Sequence, residues 1–435
     1  MTDPGAAAAA VATAHRAHWS TVLAATVALT RDLDLAEDSV QEAYAQALET
    51  WERSGVPENP AGWLTTAARR RALDVMRRAQ TLQRKLPLLV WDGAGDGVED
   101  EDEDGDEDEH PGHRRIEDES VPVVLDERLR LIFLAAHPAL APTSRIVLTL
   151  RLVGGLSTEQ IAAAFLVQTS TMAARLTRAK KRIRLSRIPC RVPPAEELDS
   201  RLVDVLDVLS VLLATGAGSG GAAPGPAPEG SGSRAAVLDT VVHTLEVLVD
   251  LLPGRTEPRG LLAQALLLRA RASTRTGARG RPIALAEQDR AQWDRELIDR
   301  ADRLVVGALA QGGRGPYLLQ GAIAACVAVP ARHEDIDWRE VVELYDALLV
   351  HWPTAIVQLA RVVAISEADG AAAALADLEP LAEELDAHRP FHVIRGELLS
   401  RLGEHDRAVP AFRAALERPG GEGESDLLRE LLRTS

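Results

Sequence analysis

Between Thr169 and Arg187 the chain carries Arg175, Arg178, Lys180, Lys181, Arg182, Arg184 and Arg187, and no carboxylate. As a helix, this run is a one-signed surface that repels itself until an anion neutralises it, and DNA phosphates are the commonest partner of such a helix. The chemistry on offer is therefore electrostatic and non-covalent. A solvated basic face on an ordinary bundle helix would carry the same charges, so the surrounding sequence has to decide. Nothing else in the chain competes as a reactive centre. There is no phosphate-cradling glycine loop, nucleophile motif or group of metal ligands, and His137, His243 and His392 stand alone. Cys190 and Cys326 lie far apart, without ligand spacing around them. No catalytic residue, metal or cofactor is expected, and the chain reads as a binding protein rather than an enzyme.

The elements that must position those cations lie just upstream. Ser157-Thr158-Glu159-Gln160 places Gln three residues after a hydroxyl, the form of a capping box, which predicts a helix from Thr158. Ile161, Phe165 and Leu166 supply its apolar face. Gln168-Thr169-Ser170 then makes a polar break, and Met172, Leu176, Ala179 and Ile183 form the inner stripe of a second helix. Two short helices joined by a tight turn make a helix-turn-helix, a motif that lays its second helix in the major groove. Gln168 is a poor N-cap, and Thr169 is the alternative. From Asp126 to Arg191 the charge sums to plus nine in a chain of minus sixteen, which sets this segment apart.

Ala, Leu and Arg dominate the composition, aromatic residues make up 3%, and strict alternation is hard to find, so an all-α protein is expected. The length of 435 residues, 46% of them hydrophobic, allows two or three cores. The run Ala6 to Ala14 lacks the basic flank of a signal peptide, and no window approaches eighteen uninterrupted apolar residues. A cytoplasmic protein with no membrane partner is the expectation. Residues 13–85 read as a helical module, acidic in Asp34 to Glu42 and basic from Arg69 to Arg78. A linker follows over 86–124. Asp92 to Leu125 holds fifteen acidic and two basic residues and should be disordered alone, either as a solvated spacer or as a nucleic-acid mimic covering the basic helix. Residues 125–191 form the helix-turn-helix module, and 195–435 form a long acidic extension interrupted by the Gly/Pro-rich stretch Gly216 to Ser233.

DLAEDSVQEAYAQAL from Asp34 and NPAGWLTTAARRRALDVMRR from Asn59 resemble region 2 of bacterial sigma factors of the extracytoplasmic-function group. LRLVGGLSTEQIAAAFLV and TMAARLTRAKKRIR resemble their region 4. This resemblance implies two small helical sigma domains and two partners, core RNA polymerase and promoter DNA. It places polymerase contact on Asp34, Glu37, Asp38, Gln41 and Glu42, as exposed charges on one helix. It places minus-10 recognition in the loop Ser54 to Pro60, including Asn59, with Arg69, Arg70, Arg71, Arg77 and Arg78 on phosphates. Trp63 reads either as a stacking platform or, from its spacing to Leu64 and Ala67, as core. In region 4, Thr169, Ser170, Thr171, Ala174 and Arg175 would reach minus-35 base edges, and Arg178, Lys181 and Arg182 would bind phosphates.

Gly396, Gly403, Ala408, Phe412 and Ala415 keep the mutual spacing of a tetratricopeptide repeat, with Gly370 thirty-three residues before Gly403 and Tyr345, Leu348 and Pro353 ending a preceding unit. Stacked helical hairpins are expected from about residue 261, an unspecific helical bundle being the other reading. RLRLIFLAAHPALAP, RAKKRIRLSRIPCRVP, AEQDRAQWDRELI and YLLQGAIAACVA extend the resemblance to a sigma subgroup with such an extension. The subgroup usually has two cysteines where Ala135 and Ala136 stand here. An extension of this kind would regulate in cis and offer a concave surface to a protein or peptide. The alternative is a helix-turn-helix regulator that acts without core polymerase.

Overall fold

In the computed structural model, residues 4–91, 120–165, 167–217, 231–277 and 281–434 are described. The acidic stretch 92–119, Leu166 and most of the Gly/Pro-rich run therefore lie outside the described residues. Every regular element among the described residues is helical, apart from one isolated β-bridge between Thr276 and Pro282. The all-α expectation holds. None of the described helices is long and apolar enough to cross a membrane. The chain divides into two compact units.

The first unit contains residues 1–140, 152–155 and 178–201. Helices α1 (Pro4–Thr30), α2 (Leu33–Ser54) and α3 (Pro60–Trp91) pack on one another, and α4 (Ser120–Ala135) packs on α1. Trp19, Val22, Leu23 and Val27 are buried on α1 at the expected helical spacing. Asp32 starts α2: its Oδ1 accepts from the N–H groups of Asp34 at 2.9 Å and Leu35 at 3.1 Å, two donors the first turn would otherwise leave unmet. Gly55 stops it at φ 82°. α3 continues to Trp91, and α4 begins at Ser120. Val123, Val124 and Leu125 continue the apolar sequence of α4, and Pro122 falls in its first turn, where a missing N–H costs nothing.

Trp19 also anchors the turn ahead of the helix-turn-helix. Its indole Nε1 donates to the carbonyl of Leu152 at 3.2 Å. Gly155 sits beneath the ring at φ 66°, where a Cβ would lie 2.7 Å from the Trp19 Cγ. Both the backbone angle and the contact require glycine there.

The second unit contains residues 141–151, 156–177 and 202–435. It holds α5 (Pro142–Leu148), α6 (Thr158–Ala164), the first half of α7 (Thr169–Leu185) and the extension from α8 (Ala195–Ala217) onward. α6 packs against α9 (Ser231–Leu251), and Arg145 of α5 pairs with Asp204 of α8 at 3.3 Å. Further along, α10 (Glu257–Ala270) packs on α11 (Arg295–Ala310) and α12 (Pro316–Ala328). Gly321 is in near-contact with the backbone of Gly260, so α10 and α12 approach as only glycines allow.

Two helix pairs pack as hairpins further along the extension. α13 (Trp338–His351) packs on α14 (Ala355–Ala368), and α17 (Arg389–Arg401) on α18 (His405–Leu416). Gly396 leaves room for Phe412, whose ring would be 2.5 Å from a Cβ, and Gly370 and Gly403 turn the chain at φ 91° and 75°. Between α10 and α11, Ala272–Thr274, Leu285–Glu287 and Arg290–Gln292 form short 3₁₀ turns near the buried Trp293.

Candidate nucleic-acid interface

The capping box forms as its sequence predicts. Ser157 Oγ accepts from the Gln160 N–H at 3.2 Å, and Gln160 Oε1 accepts from the Ser157 N–H at 2.8 Å. Helix α7 begins at Thr169, and the Met172 N–H bonds the carbonyl of Gln168 at 3.1 Å, so Gln168 holds the N-cap position. Met172, Leu176, Ala179 and Ile183 are buried. That rotates Thr169, Ser170, Thr171 and Ala174 to the outside, with Arg178, Lys181 and Arg182 exposed and Arg175 half-buried.

On α3, Arg69, Arg70, Arg71, Arg77 and Arg78 are all exposed. Asn59 is exposed as well, but its Oδ1 already accepts from the Gly62 N–H at 2.9 Å, capping α3. Trp63 is half-buried, edge-on to the buried Trp51 with ring centroids 5.7 Å apart. Of its two readings, this favours core.

Asp38, Gln41 and Glu42 of α2 are exposed, as expected of a contact surface, but Asp34 and Glu37 are not. Glu37 is only 2% exposed, which corrects the expectation of a free charge. Lys180 of α7 covers it, its Nζ lying 2.5 Å from Glu37 Oε2 and 2.8 Å from Asp34 Oδ1. Arg184, one helical turn on, places Nη2 2.6 Å from Asp34 Oδ2. The carboxylates are spaced i, i+3 and the cations i, i+4, so two helix faces meet charge to charge. Burial alone would lower the Lys180 pKa, but the charges and hydrogen bonds of Glu37 and Asp34 hold it above its ordinary value. Burial would likewise raise Asp34, yet Lys180 and Arg184 bring it below the usual carboxylate range. Beside these pairs opens a cleft of about 890 Å³, lined in part by Arg31, Asp32, Arg130, Arg184, Arg187 and Cys190. Burial pushes the Cys190 thiol up to about 11, so it is protonated and unreactive at neutral pH.

Lys180 and Arg184 as partners of α2 are what the sequence reading missed. Its only available signal was the matching spacing of the two pairs, 146 and 150 residues apart.

Residues 15–81 match sigma-70 region 2, and residues 130–183 match sigma-70 region 4. A relative from Rhizobium meliloti, described as an uncharacterized protein, is 36% identical over 399 residues, covering 92% of this chain and 89% of its own length. A probable ECF RNA polymerase sigma factor, SigI, of Mycobacterium tuberculosis is 30% identical over 187 residues. That alignment covers 43% of this chain and 58% of the relative. The chain belongs to the extracytoplasmic-function group of the sigma-70 family. Beyond its two sigma regions, this sigma factor matches a family of unknown function, DUF6596, over residues 201–309. The paired carboxylates of α2 thus fall within region 2, and Lys180 lies within region 4.

Proposed function

We propose that this sigma factor binds core RNA polymerase through α2 and reads promoter DNA through α3 and α7. The exposed Asp38, Gln41 and Glu42 would meet the polymerase first, with Asp34 and Glu37 joining once released from α7. Arg69, Arg70, Arg71, Arg77 and Arg78 would neutralise phosphates near the minus-10 element, beside the Asn59 loop. Thr169, Ser170, Thr171, Ala174 and Arg175 would read minus-35 base edges, and Arg178, Lys181 and Arg182 would hold the flanking phosphates. The observation that carries this reading is the exposed first turn of α7, set behind a capped α6 with its apolar stripe turned inward. The protein would perform no bond chemistry itself and would act in the cytoplasm.

The ion pairs of Lys180 and Arg184 support a second element of this reading, a closed form. Carboxylates of α2 occupy two of the cations of α7, so part of each partner surface would be neutralised while they touch. Promoter binding and polymerase binding would each compete with this contact, and either would favour release of the other. The contact of α6 with α9 supports control by the extension, because a helix of the extension holds the first helix of the helix-turn-helix. A protein or peptide bound along the stacked hairpins could act through it.

Run-off transcription tests this function. Full-length protein and purified bacterial core polymerase, given a pool of genomic promoter fragments, should initiate at specific sites. No initiation together with no binding to core polymerase would favour a helix-turn-helix regulator that acts alone. Deleting residues 196–435 is a poor control, since it strips α9 from α6 and should destabilise the DNA-reading module itself.

A further inference from the structure

The segment AEQDRAQWDRELI, from Ala286, lies outside both matched sigma regions and builds an unusual electrostatic environment in the extension. Trp293 is 3% exposed, and its indole Nε1 donates to Thr274 Oγ1 at 2.8 Å. Two guanidiniums lie over its ring: Arg271 at 4.8 Å and Arg290 at 4.4 Å from the centroid. Both are half-buried; no described carboxylate lies within ion-pair distance of either, and the charge of Glu334 acts on Arg290 from farther off. Arg271 Nη2 donates to the neutral side chain of Gln288 at 3.1 Å. Arg290 Nη1 donates to two carbonyls, Val327 in the last turn of α12 at 3.1 Å and Pro330 just beyond that helix at 2.9 Å.

This leaves donors over. Arg271 Nε, and both Nε and Nη2 of Arg290, are buried without an acceptor. Nε and Nη2 form the side-on edge of a guanidinium, the fork that grips an oxyanion with two parallel hydrogen bonds. Burial and the nearby charges of Arg275 and Arg290 bring Arg271 down to about 10, far below an ordinary arginine. A ring face compensates a desolvated cation by only about 2 kcal/mol, and an unmet buried donor costs about 1–3 kcal/mol. Cations packed together at that cost are short of negative charge, Glu334 acting on Arg290 alone among the causes of either shift.

We propose that Arg271, Arg290 and Gln288, framed by Trp293, form a binding site for a phosphate dianion, free or carried on a small molecule. Two clustered cations, offset on Arg290 only in part by Glu334, suit a dianion. The fork on Arg290 sets the geometry, and Gln288, whose Nε2 donates to the Ile283 carbonyl at 3.0 Å, holds Arg271 in place through its Oε1. Asp289 and Asp294 fix the frame from behind: Asp289 Oδ1 accepts from the Ala291 N–H at 3.0 Å, and Asp294 Oδ1 caps α11 through the Leu297 N–H at 3.1 Å. The site lies inside the stretch that matches the family of unknown function. It would give the extension a small-molecule input separate from the DNA-binding helices, and it does not depend on the promoter reading.

Isothermal titration of the full chain with inorganic phosphate tests the site, with sulfate, acetate and a phosphorylated sugar as parallel arms at matched ionic strength. Saturable binding of about one equivalent of phosphate is expected, at least tenfold weaker for acetate, and lost in Arg271→Met. A sugar phosphate that binds more tightly than phosphate would identify a carried phosphoryl group as the ligand. Because phosphate also stabilises proteins by exclusion from their surface, the thermal readout is the difference between chains. Phosphate should raise the melting temperature of the natural chain by about 2 °C or more beyond any rise in Arg271→Met. Absence of saturable binding to the natural chain would overturn the proposal whatever the variant does. So would binding that survives unchanged in Arg271→Met, or equal affinity for acetate. If Arg271→Met fails to fold, Gln288→Ala replaces it, and an unweakened phosphate affinity there again counts against the site.

Discussion

Helices α3 and α7 both present dense arginine faces, yet they are in different electrostatic states. None of Arg69, Arg70, Arg71, Arg77 and Arg78 on α3 pairs with a described carboxylate, and all are open to solvent. On α7, Lys180 and Arg184 are already spent on Asp34 and Glu37. Basicity alone therefore does not tell whether a helix is available to DNA. Availability depends on whether a carboxylate elsewhere in the chain reaches it first.

Removing a cation should separate the two helices most clearly. Lys180→Met strands the Glu37 carboxylate at 2% exposure and should cost about 3 kcal/mol in urea unfolding at neutral pH. Adding Glu37→Gln should recover most of that loss, whereas Arg70→Met on α3 should stay within about 0.5 kcal/mol of the natural chain. A cost below about 1 kcal/mol for Lys180→Met would mean that the pair is solvated.

The next effect concerns DNA. Asp34→Asn combined with Glu37→Gln frees both cations of α7, so affinity for promoter DNA at low salt should rise roughly tenfold and the salt slope should steepen by about two. Unchanged affinity would show that the closed contact does not compete with DNA. Arg77→Gln and Arg78→Gln should do the reverse, each lowering the salt slope by about one, since no described carboxylate holds those side chains.

Smaller again is Arg184→Ala. This side chain is 64% exposed, so its pair with Asp34 should contribute about 0.5 kcal/mol, measurable only by a double-mutant cycle. Last comes a null effect with its sign worked out. Asp34 has a lowered pKa, so its contribution is complete above about pH 4 and is lost as pH falls through the lowered value. Lys180 has a raised pKa, so its contribution is complete below about pH 10 and is lost as pH rises through the raised value. Hence the coupling energy between α2 and α7 should be flat from about pH 5 to 9. A slope across neutral pH would place a histidine in the contact.

Much of the interface was legible residue by residue. Ser157 and Gln160 named the start of α6, and the spacing of Met172, Leu176, Ala179 and Ile183 said which face of α7 turns inward. Gly396 and Phe412 announced a close helix pair from spacing alone. The exposure of Glu37 was misread, because an acid on an amphipathic helix looks solvated until the chain that covers it is known. The turns Ala272–Thr274, Leu285–Glu287 and Arg290–Gln292 were read as part of a hairpin array, since 3₁₀ turns repeat too briefly to leave a period.

What the sequence by itself determined were the contacts made within a few residues: caps, apolar stripes, the turn before α7, and the charges each helix carries. It also carried the family, through two motifs in order. Only the tertiary structure decided that Lys180 and Arg184 meet Asp34 and Glu37, that α9 covers α6, and that Arg271 and Arg290 share Trp293. The division has a physical cause. Capping and periodicity depend on neighbours whose separation the backbone fixes, whereas Coulomb energy and burial depend on distance and local dielectric, which residues about 150 positions apart acquire only when the chain has folded.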